Sequence, residues 1–265
     1  RKNNYTGPIY LMVDDEDEQA EDYIEKYGDQ VKIFNKQTAI DMTDELDNLK
    51  KRNSVVFARN YNFILAKEMG LKYFLQLDDD YNSFWNTFDN DRRYITAHRK
   101  IQNLDRTFEA MLDFCIDSNA HAVCMSQGGD FIGGEGSKVA KLWREGTWSR
   151  KAMNAYFFNV DKPFKFMGRI NEDVNAYVML GNRGHLYLTV PRIRLEQIQT
   201  QQNEGGLTDI YLDVGTYVKS FYSVMCAPSC VKVAKMGVTN MRLHHLVQWK
   251  YAVPQIISEE VKKAS

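Results

Sequence analysis

The sequence has few cysteines, and their spacing argues against a disulfide-stabilised secreted domain. The chain of 265 residues contains four, unevenly placed: Cys115, Cys124, Cys226 and Cys230. Disulfide frameworks normally belong to shorter chains with denser cysteines, so we expect free thiols in a reducing compartment. A zinc site formed by Cys226, Cys230 and the histidines His244 and His245 is an alternative, although their spacing fits no common zinc motif.

The sequence also lacks any apolar run long enough to cross a membrane, and the stretch RKNNYTGPIY contains no apolar signal region. Neither sign of charge is in excess, since 34 lysines and arginines oppose 35 aspartates and glutamates. The composition therefore gives no reason to expect histone-like phosphate binding over a whole surface, and a nucleic-acid partner requires a local basic patch. We expect a soluble, cytoplasmic protein without a membrane partner.

Two common nucleotide-binding motifs are absent as well. The glycine-rich stretch QGGDFIGGEG (127–136) has neither GxGxxG nor GxxxxGK, the spacings that identify dinucleotide sites and P-loops. A flexible connection is the alternative interpretation of this stretch. No internal repeat and no low-complexity linker divides the chain, so we expect a single domain over residues 1–265.

The order of predicted elements indicates an α/β fold. Apolar runs predict strands at 8–13, 31–36 and 71–77, with helical spacing between them. Strands that alternate with helices favour a mixed, mainly parallel central sheet flanked by helices and joined by right-handed crossovers.

The rest of the chain continues this pattern less regularly. Strands are predicted at 120–126, 150–160 and 184–195, and a helix is predicted to open near Asn171. The aromatic-rich stretch 81–100 is predicted to be irregular. The polar stretch QIQTQQNEGGLTDIY, residues 197–211, is predicted to form a mobile lid.

Three adjacent carboxylates end the apolar run LKYFLQLDDDY: Asp78, Asp79 and Asp80. Like charges side by side repel, and a carboxylate near a low-dielectric region needs a partner, so a positive group is expected beside them. Asp78 and Asp80 offer hard oxygen ligands of the kind that Mg²⁺ and Mn²⁺ prefer. We therefore predict a divalent metal, with coordination positions left open for a diphosphate.

A second acidic run follows the first predicted strand and begins with Asp14 and Asp15. Ligands gather at the carboxyl ends of parallel strands, so both acidic runs are expected along one rim of the sheet. A solvated acidic loop is the alternative for the first run.

Five segments together resemble one enzyme family: VDDED, ARNYNFILAKEMG, FLQLDDDY, GRINEDVNAYV and RLHHLVQW. They are similar to the TET-associated glycosyltransferases, a mainly phage family of the GT-A type that is thought to attach sugars to 5-hydroxymethylpyrimidines in DNA. The resemblance spans nearly the whole chain, although the DxD motif alone is weak. It implies a GT-A fold, with a nucleotide-binding half at 1–82 and an acceptor-binding half at 83–265.

The resemblance also implies partners and a cofactor. The donor would be a nucleotide sugar such as a UDP-sugar, the cofactor Mn²⁺ or Mg²⁺, and the acceptor DNA that contains 5-hydroxymethylcytosine or a related base. The location would be the cytoplasm of a phage-infected bacterial host. The resemblance implies three groups of site residues in this sequence. Donor binding is assigned to Asp14, Asp15, Arg59, Asp78 and Asp79. Metal binding is assigned to Asp78, Asp80 and one or other of His244 and His245.

The general base is assigned to the acidic pair Glu172 and Asp173, with Asp173 favoured by the resemblance. A base must reach the acceptor hydroxyl and remain ionised near neutral pH. The alternative is helix capping, in which Asn171 caps the helix while both acids favour its positive end.

Other functions share these features. A glycosyltransferase acting on a protein or saccharide, and a nucleotidyltransferase that releases pyrophosphate, would both use a similar sheet and similar carboxylates. A non-catalytic binding module is disfavoured because the acidic motifs are intact.

Overall fold

A computed structural model describes residues 3–146, 150–153, 155–197, 215, 217–236 and 241–262. The described part is a mixed α/β structure. The strands are β1 (Leu11–Asp14), β2 (Val31–Phe34), β3 (Tyr73–Gln76), β4 (Tyr81–Phe88), β5 (Tyr94–Lys100), β6 (Ala122–Gln127), β7 (Tyr156–Asn159), β8 (Tyr187–Gln197), β9 (Val231–Met236) and β10 (Arg242–Val247). The helices are α1 (Ala20–Tyr27), α2 (Lys36–Asp41), α3 (Val55–Glu68), α4 (Leu104–Ser118), α5 (Lys138–Glu145), α6 (Glu172–Gly181), α7 (Val218–Cys226) and α8 (Trp249–Ala252).

Six strands form the central sheet in the order β3-β7-β6-β8-β4-β5. The predicted mixed α/β character is confirmed, but the predicted predominance of parallel pairing is not. Within this sheet only β6 and β8 run parallel, and the other four pairings are antiparallel. The reason is local: β7 inserts in reverse between β3 and β6, and β4 folds back directly on β5.

The stretch 81–100 was predicted to be irregular, and that prediction was wrong because it forms the β4–β5 hairpin. Its turn is closed by Asp89, whose Oδ1 accepts the backbone N–H groups of Asp91 and Arg93 at 2.9 Å each. Arg92 takes the left-handed conformation in this turn, with φ of 62°. Aspartate side chains that bond backbone two residues ahead are typical of tight turns.

The first two strands pair in parallel in a separate sheet. Their apolar side chains pack on α3, where Phe34 lies 5.2 Å from Tyr61 between ring centroids. Strand β1 is thus outside the central sheet, so the expected single sheet rim with both acidic runs is not what the described topology shows. A third sheet is the antiparallel pair β9–β10.

Each face of the central sheet buries its own core. Helix α4 covers one face, where Phe108 and Met111 join Val123 and Phe157. Helices α3 and α6 cover the other face, and the residues there include Phe57, Phe63, Cys124, Tyr156, Phe158, Val174 and Val178. Alternate residues of β6 and β7 point to opposite faces, which is why neighbouring positions such as Val123 and Cys124 belong to different cores.

Residues 77–80 connect β3 to β4, although three strands lie between these two in the sheet order. The acidic triplet therefore has to pass the ends of the intervening strands. Strands β6 and β8 both finish at this side of the sheet, because β8 meets the start of β4 at the pair Gln197–Tyr81. This position agrees with the rule that ligands gather at carboxyl ends of parallel strands.

Four further features bear on the predictions. All four cysteines are free thiols. The glycine-rich stretch 127–136 contains two short 3-10 turns, Gly128–Phe131 and Gly134–Gly136. The predicted lid at 197–211 lies outside the described residues except for Gln197. Among the helices of the described ranges, none has the length and apolar character needed to span a membrane.

Candidate active site

Arg59 of α3 joins the acidic triplet to the acidic pair of α6. Its Nη2 donates to both carboxylate oxygens of Asp78 at 2.9 Å, and its Nη1 donates to Oε1 of Glu172 at 2.7 Å. Arg59 is 3% exposed and Glu172 is 6% exposed. The two carboxylates, 94 positions apart in the sequence, therefore share one buried guanidinium. For Asp78, the expected positive partner is this arginine.

The local sequence of α3 explains why an arginine is buried here. The buried side of the helix carries Arg59 and Phe63 one turn apart, and the Arg59 guanidinium carbon lies 5.8 Å from the centre of the Phe166 ring. The next residue, Asn60, donates to the Phe166 carbonyl at 3.0 Å and accepts from the Phe166 N–H at 2.8 Å. Together these contacts hold the chain that leads into α6 against α3.

The acidic pair opens α6 as predicted, but the capping alternative does not hold for Asn171. This residue precedes the helix in a left-handed conformation, and its side chain makes no cap hydrogen bond. Instead, its Nδ2 donates to the Lys219 carbonyl at 2.6 Å and lies 3.2 Å from Nδ1 of His245. Asn171 therefore links the start of α6 to α7 and β10.

The two acids of the pair have different surroundings. Glu172 is ion-paired to Arg59, whereas Asp173 has no ion pair among the described residues, and its Oδ1 accepts only the N–H of Val174, at 2.7 Å. Burial raises the pKa of Glu172 to about 7, with Arg59 opposing the rise, and burial also raises the pKa of Asp173. Asp173 is thus the acid of the pair that has no cation partner among the described residues.

Asp173 packs among side chains that are otherwise aromatic or aliphatic, with no room between them for a water molecule. Tyr156 is one of these residues, and its hydroxyl donates to the Ala152 carbonyl at 2.9 Å. Tyr187 of β8 is another. An apolar lining with little competing polarity is the kind of setting that raises a carboxyl pKa toward neutrality.

Asp80 and Asp79 differ from Asp78 in their partners. Asp80 is half-buried, and Nε2 of Gln197 donates to its Oδ2 at 3.1 Å. Burial, followed by the charges of Asp78 and Asp79, raises the pKa of Asp80. Asp79 is exposed at the tip of the turn. Asp80 is thus partly buried, and it forms no ion pair with another described residue.

The donor set for a metal is only partly assembled. Within the described ranges, no three histidine, cysteine, aspartate or glutamate side chains come together in a way that would hold a metal ion. Both oxygens of Asp78 face Arg59, so Asp80 is the carboxylate best placed to bind a divalent cation. Its oxygen ligands suit Mg²⁺ or Mn²⁺, and the remaining ligands would have to come from a diphosphate and water.

The histidines His244 and His245 lie side by side on β10, with ring centroids 4.2 Å apart. His245 reaches Asn171 beside the acidic pair, whereas Nδ1 of His244 is buried without a hydrogen-bond partner in the described part of the chain. Burial lowers the pKa of both histidines, and the nearby charges of Lys219 and Lys151 lower it further. Such positive surroundings suit an anion better than a second cation.

Asp14 and Asp15 belong to a separate network. Lys36 Nζ lies 3.2 Å from Oδ1 of Asp14, and Asp15 accepts from Nδ2 of Asn35 at 2.6 Å and from the Lys36 N–H at 2.9 Å. Within the described ranges, no hydrogen bond or ion pair of these two acids reaches Asp78 or Asp80. They fix the turn that begins α2, and their assignment to the donor remains a prediction.

Sequence reasoning missed three members of the site: Gln197, Asn171 as a link to β10, and Tyr156. Of these three residues, only Asn171 was recognisable in the sequence, because it adjoins the acidic pair. It was considered there as a helix cap. Gln197 lies beside Asp80 because β4 and β8 pair antiparallel. No local sequence pattern predicts this pairing.

Comparison with protein families supports a relationship over most of the chain. Residues 1–206 match the family described as TAGT, TET-Associated Glycosyltransferase. The matched range contains Arg59, the acidic triplet and the acidic pair, while the two histidines of β10 lie beyond it. Comparisons with curated proteins and with solved structures gave no significant match.

Proposed function

The chain belongs to the TET-associated glycosyltransferase family, and from this premise we propose that it transfers a sugar from a nucleotide sugar to a 5-hydroxymethylpyrimidine in DNA. The observation that carries the proposal is the buried Asp78–Arg59–Glu172 network. It sets the DxD carboxylates beside Asp173, the acid with no cation of its own. In this proposal the donor motif and the base lie together at one end of the central sheet.

In this proposal the donor is a UDP-sugar whose diphosphate lies at the acidic triplet, on a GT-A type fold. Asp80 would hold Mg²⁺ or Mn²⁺, which when bound neutralises charge on the departing nucleoside diphosphate as a Lewis acid. Asp78, whose two oxygens both bond Arg59, would accept a hydroxyl of the nucleotide through a remaining lone pair. His244, with its buried unpartnered nitrogen and positive neighbours, would contact the diphosphate.

Asp173 accepts the proton of the acceptor hydroxyl as the sugar is transferred. A general base works best when its pKa lies near the working pH, and burial moves the pKa of Asp173 upward in that direction. Glu172 keeps Arg59 in place and does not act as the base. The start of α6 therefore carries one positioning acid and one catalytic acid.

The deciding experiment incubates the protein and Mn²⁺ with a panel of nucleotide sugars and duplex DNA containing 5-hydroxymethylcytosine, 5-hydroxymethyluracil, cytosine or thymine. The DNA is then digested and its nucleosides are weighed by mass spectrometry. We expect a mass increase equal to one transferred sugar residue on a hydroxymethylated base only, because the ordinary bases lack the primary hydroxyl.

Asp173→Asn serves as the control for enzyme-dependent transfer in the same panel. Preferred transfer to a protein or saccharide would contradict the DNA acceptor and leave the glycosyltransferase activity standing. Release of pyrophosphate with nucleotide attachment would instead identify a nucleotidyltransferase.

A further inference from the structure

The β4–β5 hairpin carries exposed positive charge at one edge of the central sheet. Residues 81–100 hold four cations, counting lysine and arginine, and two acids, in a chain whose formal net charge is −1. Strand β5 comes last in the sheet order, so among the described strands its outer side has no neighbour. We call the exposed cations of the hairpin and of the adjoining strand β8 the basic edge: Arg92, Arg93, Arg99, Lys100 and Arg192.

The cations of the basic edge form no ion pair with any residue in the described part of the chain. The acids of the hairpin do not neutralise them. Oδ1 of Asp89 accepts the N–H groups of Asp91 and Arg93, and the Asp91 side chain is exposed at the turn. Unpaired cations grouped on a surface attract a polyanion. The hairpin is therefore a local basic patch of the kind that a nucleic-acid partner requires.

An aromatic ring lies among these charges. Lys100 Nζ is 5.1 Å from the centre of the half-buried Trp85 ring, and the guanidinium carbon of the buried Arg194 is 5.8 Å from the same centre. The Trp85 Nε1 donates to Ser83 Oγ at 2.8 Å and to Glu196 Oε2 at 2.9 Å. The ring is thus fixed in place and supports the Lys100 ammonium. Proteins that bind a nucleic-acid strand commonly combine aromatic rings with phosphate-binding cations in this way.

The basic edge begins close to the acidic triplet and extends away from it. Strand β4 starts at Tyr81, directly after Asp80, and Trp85 lies four residues further on. At about 3.4 Å per strand residue this separation is about 14 Å, which corresponds to about four nucleotides along one strand of a duplex. At the other end of the hairpin, the Arg92 guanidinium carbon lies 5.8 Å from the centre of the Trp143 ring. A DNA strand that passes the acidic triplet can therefore run along the hairpin.

We propose that the basic edge binds the phosphates of the acceptor DNA on one side of the base that is modified. This inference rests on the proposed function and adds the surface that holds the DNA. Arg99 and Lys100 are successive residues of β5, so they project from opposite faces of the sheet beside its free edge. Phosphate contacts fix the position of DNA but do not read its sequence. The basic edge therefore positions the DNA, and selection of the base is left to the site itself.

Lysine and arginine on an edge strand have a second established use, because their charge prevents pairing with the edge of another chain. The two roles differ in one measurable property. Phosphate contacts release counterions, so each contact adds to the salt dependence of DNA binding, whereas edge protection adds nothing to it.

The test measures the Kd of a fluorescein-labelled duplex with one 5-hydroxymethylcytosine by anisotropy, at about 50 to 200 mM NaCl. Arg99→Gln and Lys100→Gln each remove one charge from an exposed position, so the fold should be kept. We expect each variant to raise the Kd by about 3- to 10-fold. Each should also reduce the slope of log Kd against log salt by about 0.9, and the double variant by about 1.8. A duplex with cytosine in place of the modified base should show the same changes.

Lys26→Gln is the matched control. Lys26 is also exposed, and its Nζ lies 5.2 Å from the centre of the Tyr27 ring on α1, so the same kind of cation is removed away from the hairpin. We expect wild-type Kd and slope for this variant. Equal weakening by Lys26→Gln would overturn the inference, because DNA binding would then depend on charge in general.

Sugar transfer to the same duplex separates this inference from the proposed function. A double variant that keeps wild-type Kd and slope would overturn the basic edge as a DNA surface and assign its charges to edge protection. If the wild type still transfers sugar to the duplex, the proposed function stands in that case. A protein that binds DNA through Arg99 and Lys100 but transfers no sugar to it would support the basic edge and overturn the proposed function.

Discussion

Arg59 supplies a positive partner for Asp78, one of the three adjacent aspartates. A buried ion pair costs solvation for each partner and is retained only where geometry and hydrogen bonds are good. Arg59 meets these conditions with three contacts of 2.7 to 2.9 Å to two carboxylates. The sequence predicted a positive partner and assigned it to a metal. The structure supplies an arginine for Asp78, and the metal proposed at Asp80 remains a prediction.

The two acids at the start of α6 are expected to respond differently to neutral substitutions. Asp173→Asn removes the proposed base, so transfer should fall by about 10²- to 10⁴-fold while UDP binding is kept. Glu172→Gln leaves Arg59 with one carboxylate, so thermal stability should fall as well as activity. Steady-state kinetics and thermal unfolding of both variants make the comparison. If the two variants exchange these phenotypes, Glu172 is the base.

Asp80 is expected to determine the metal dependence. Asp80→Asn removes a ligand charge, so added Mn²⁺ should no longer tighten UDP binding, whereas in the wild type it should. Calorimetric titration with UDP, in Mn²⁺ and in EDTA, measures this difference. The exposed Asp29→Asn is the matched control and should behave like the wild type. Equal UDP affinities in Mn²⁺ and EDTA for the wild type would show that the donor site needs no metal.

At the level of elements, the turn before α6 is held by close contacts that a side chain at Gly168 would disturb. A Cβ there would lie 2.6 Å from Asn175 Nδ2, and φ is +86°. The next residue, Arg169, is fully buried and pairs with Glu45 and Asp47. This turn therefore fixes where the acidic pair of α6 lies relative to α3.

Gly168→Ala is expected to lower the free energy of unfolding by about 1–3 kcal/mol and to reduce transfer through a shift of α6. Gly136→Ala is the matched control, because a Cβ there meets nothing within 4 Å and its φ is not positive. Urea unfolding and kcat of both variants test the prediction. Wild-type stability of Gly168→Ala would show that the turn relaxes freely.

Arg59 connects two helices, and a double-mutant cycle measures that connection. Arg59→Met leaves two carboxylates without a cation, at an expected cost of about 3–5 kcal/mol. Adding Glu172→Gln to Arg59→Met should restore part of the lost free energy of unfolding, because it removes one of the two unpaired charges. Arg144→Met breaks the exposed pair with Glu135 and should cost less than about 1 kcal/mol. Additive effects of Arg59→Met and Glu172→Gln in urea unfolding would mean that the two side chains are not coupled.

Elements with strong local patterns were predictable, and those defined by distant pairing were not. The strand ending in the acidic triplet and the helix opening with the acidic pair were both predicted from apolar runs and spacing. The β4–β5 hairpin was missed because its strands mix polar and aromatic residues, and the Asp89 turn was not recognised. Arg59 was assigned to donor binding together with Asp78, but only the fold brings Glu172 to the same guanidinium.

At the scale of the whole molecule, a buried histidine makes the free energy of unfolding depend on pH. His121 is 1% exposed and stacks on His185 at 4.1 Å. Burial lowers its pKa to about 4, and the charges of His185 and Lys162 act in the same direction. The folded protein keeps His121 neutral where the unfolded chain binds a proton, below a pKa of about 6.5. Its contribution to stability is therefore present above pH 6.5 and is lost as pH falls toward 4.

His121→Gln is expected to flatten the dependence of unfolding free energy on pH between about 4 and 6.5. The slope of unfolding free energy against pH should fall by at most about 1.4 kcal/mol per pH unit, which corresponds to one proton. Urea unfolding at a series of pH values measures both proteins. Above pH 7.5 the two slopes should coincide, which serves as the internal control. Equal slopes at low pH would show that His121 is protonated in the folded state.

The pairing of β3 with β7 has a consequence for how the chain is made. Strand β3 lies at an edge of the central sheet, and its neighbour β7 is synthesised some 80 residues later. At about 5–20 residues per second on the ribosome, β3 waits for seconds before its partner emerges. The acidic triplet gains its position only after that delay, because Glu172 follows β7 in the chain. A nascent chain that stops before β7 carries the acidic triplet without the strand that pairs with β3.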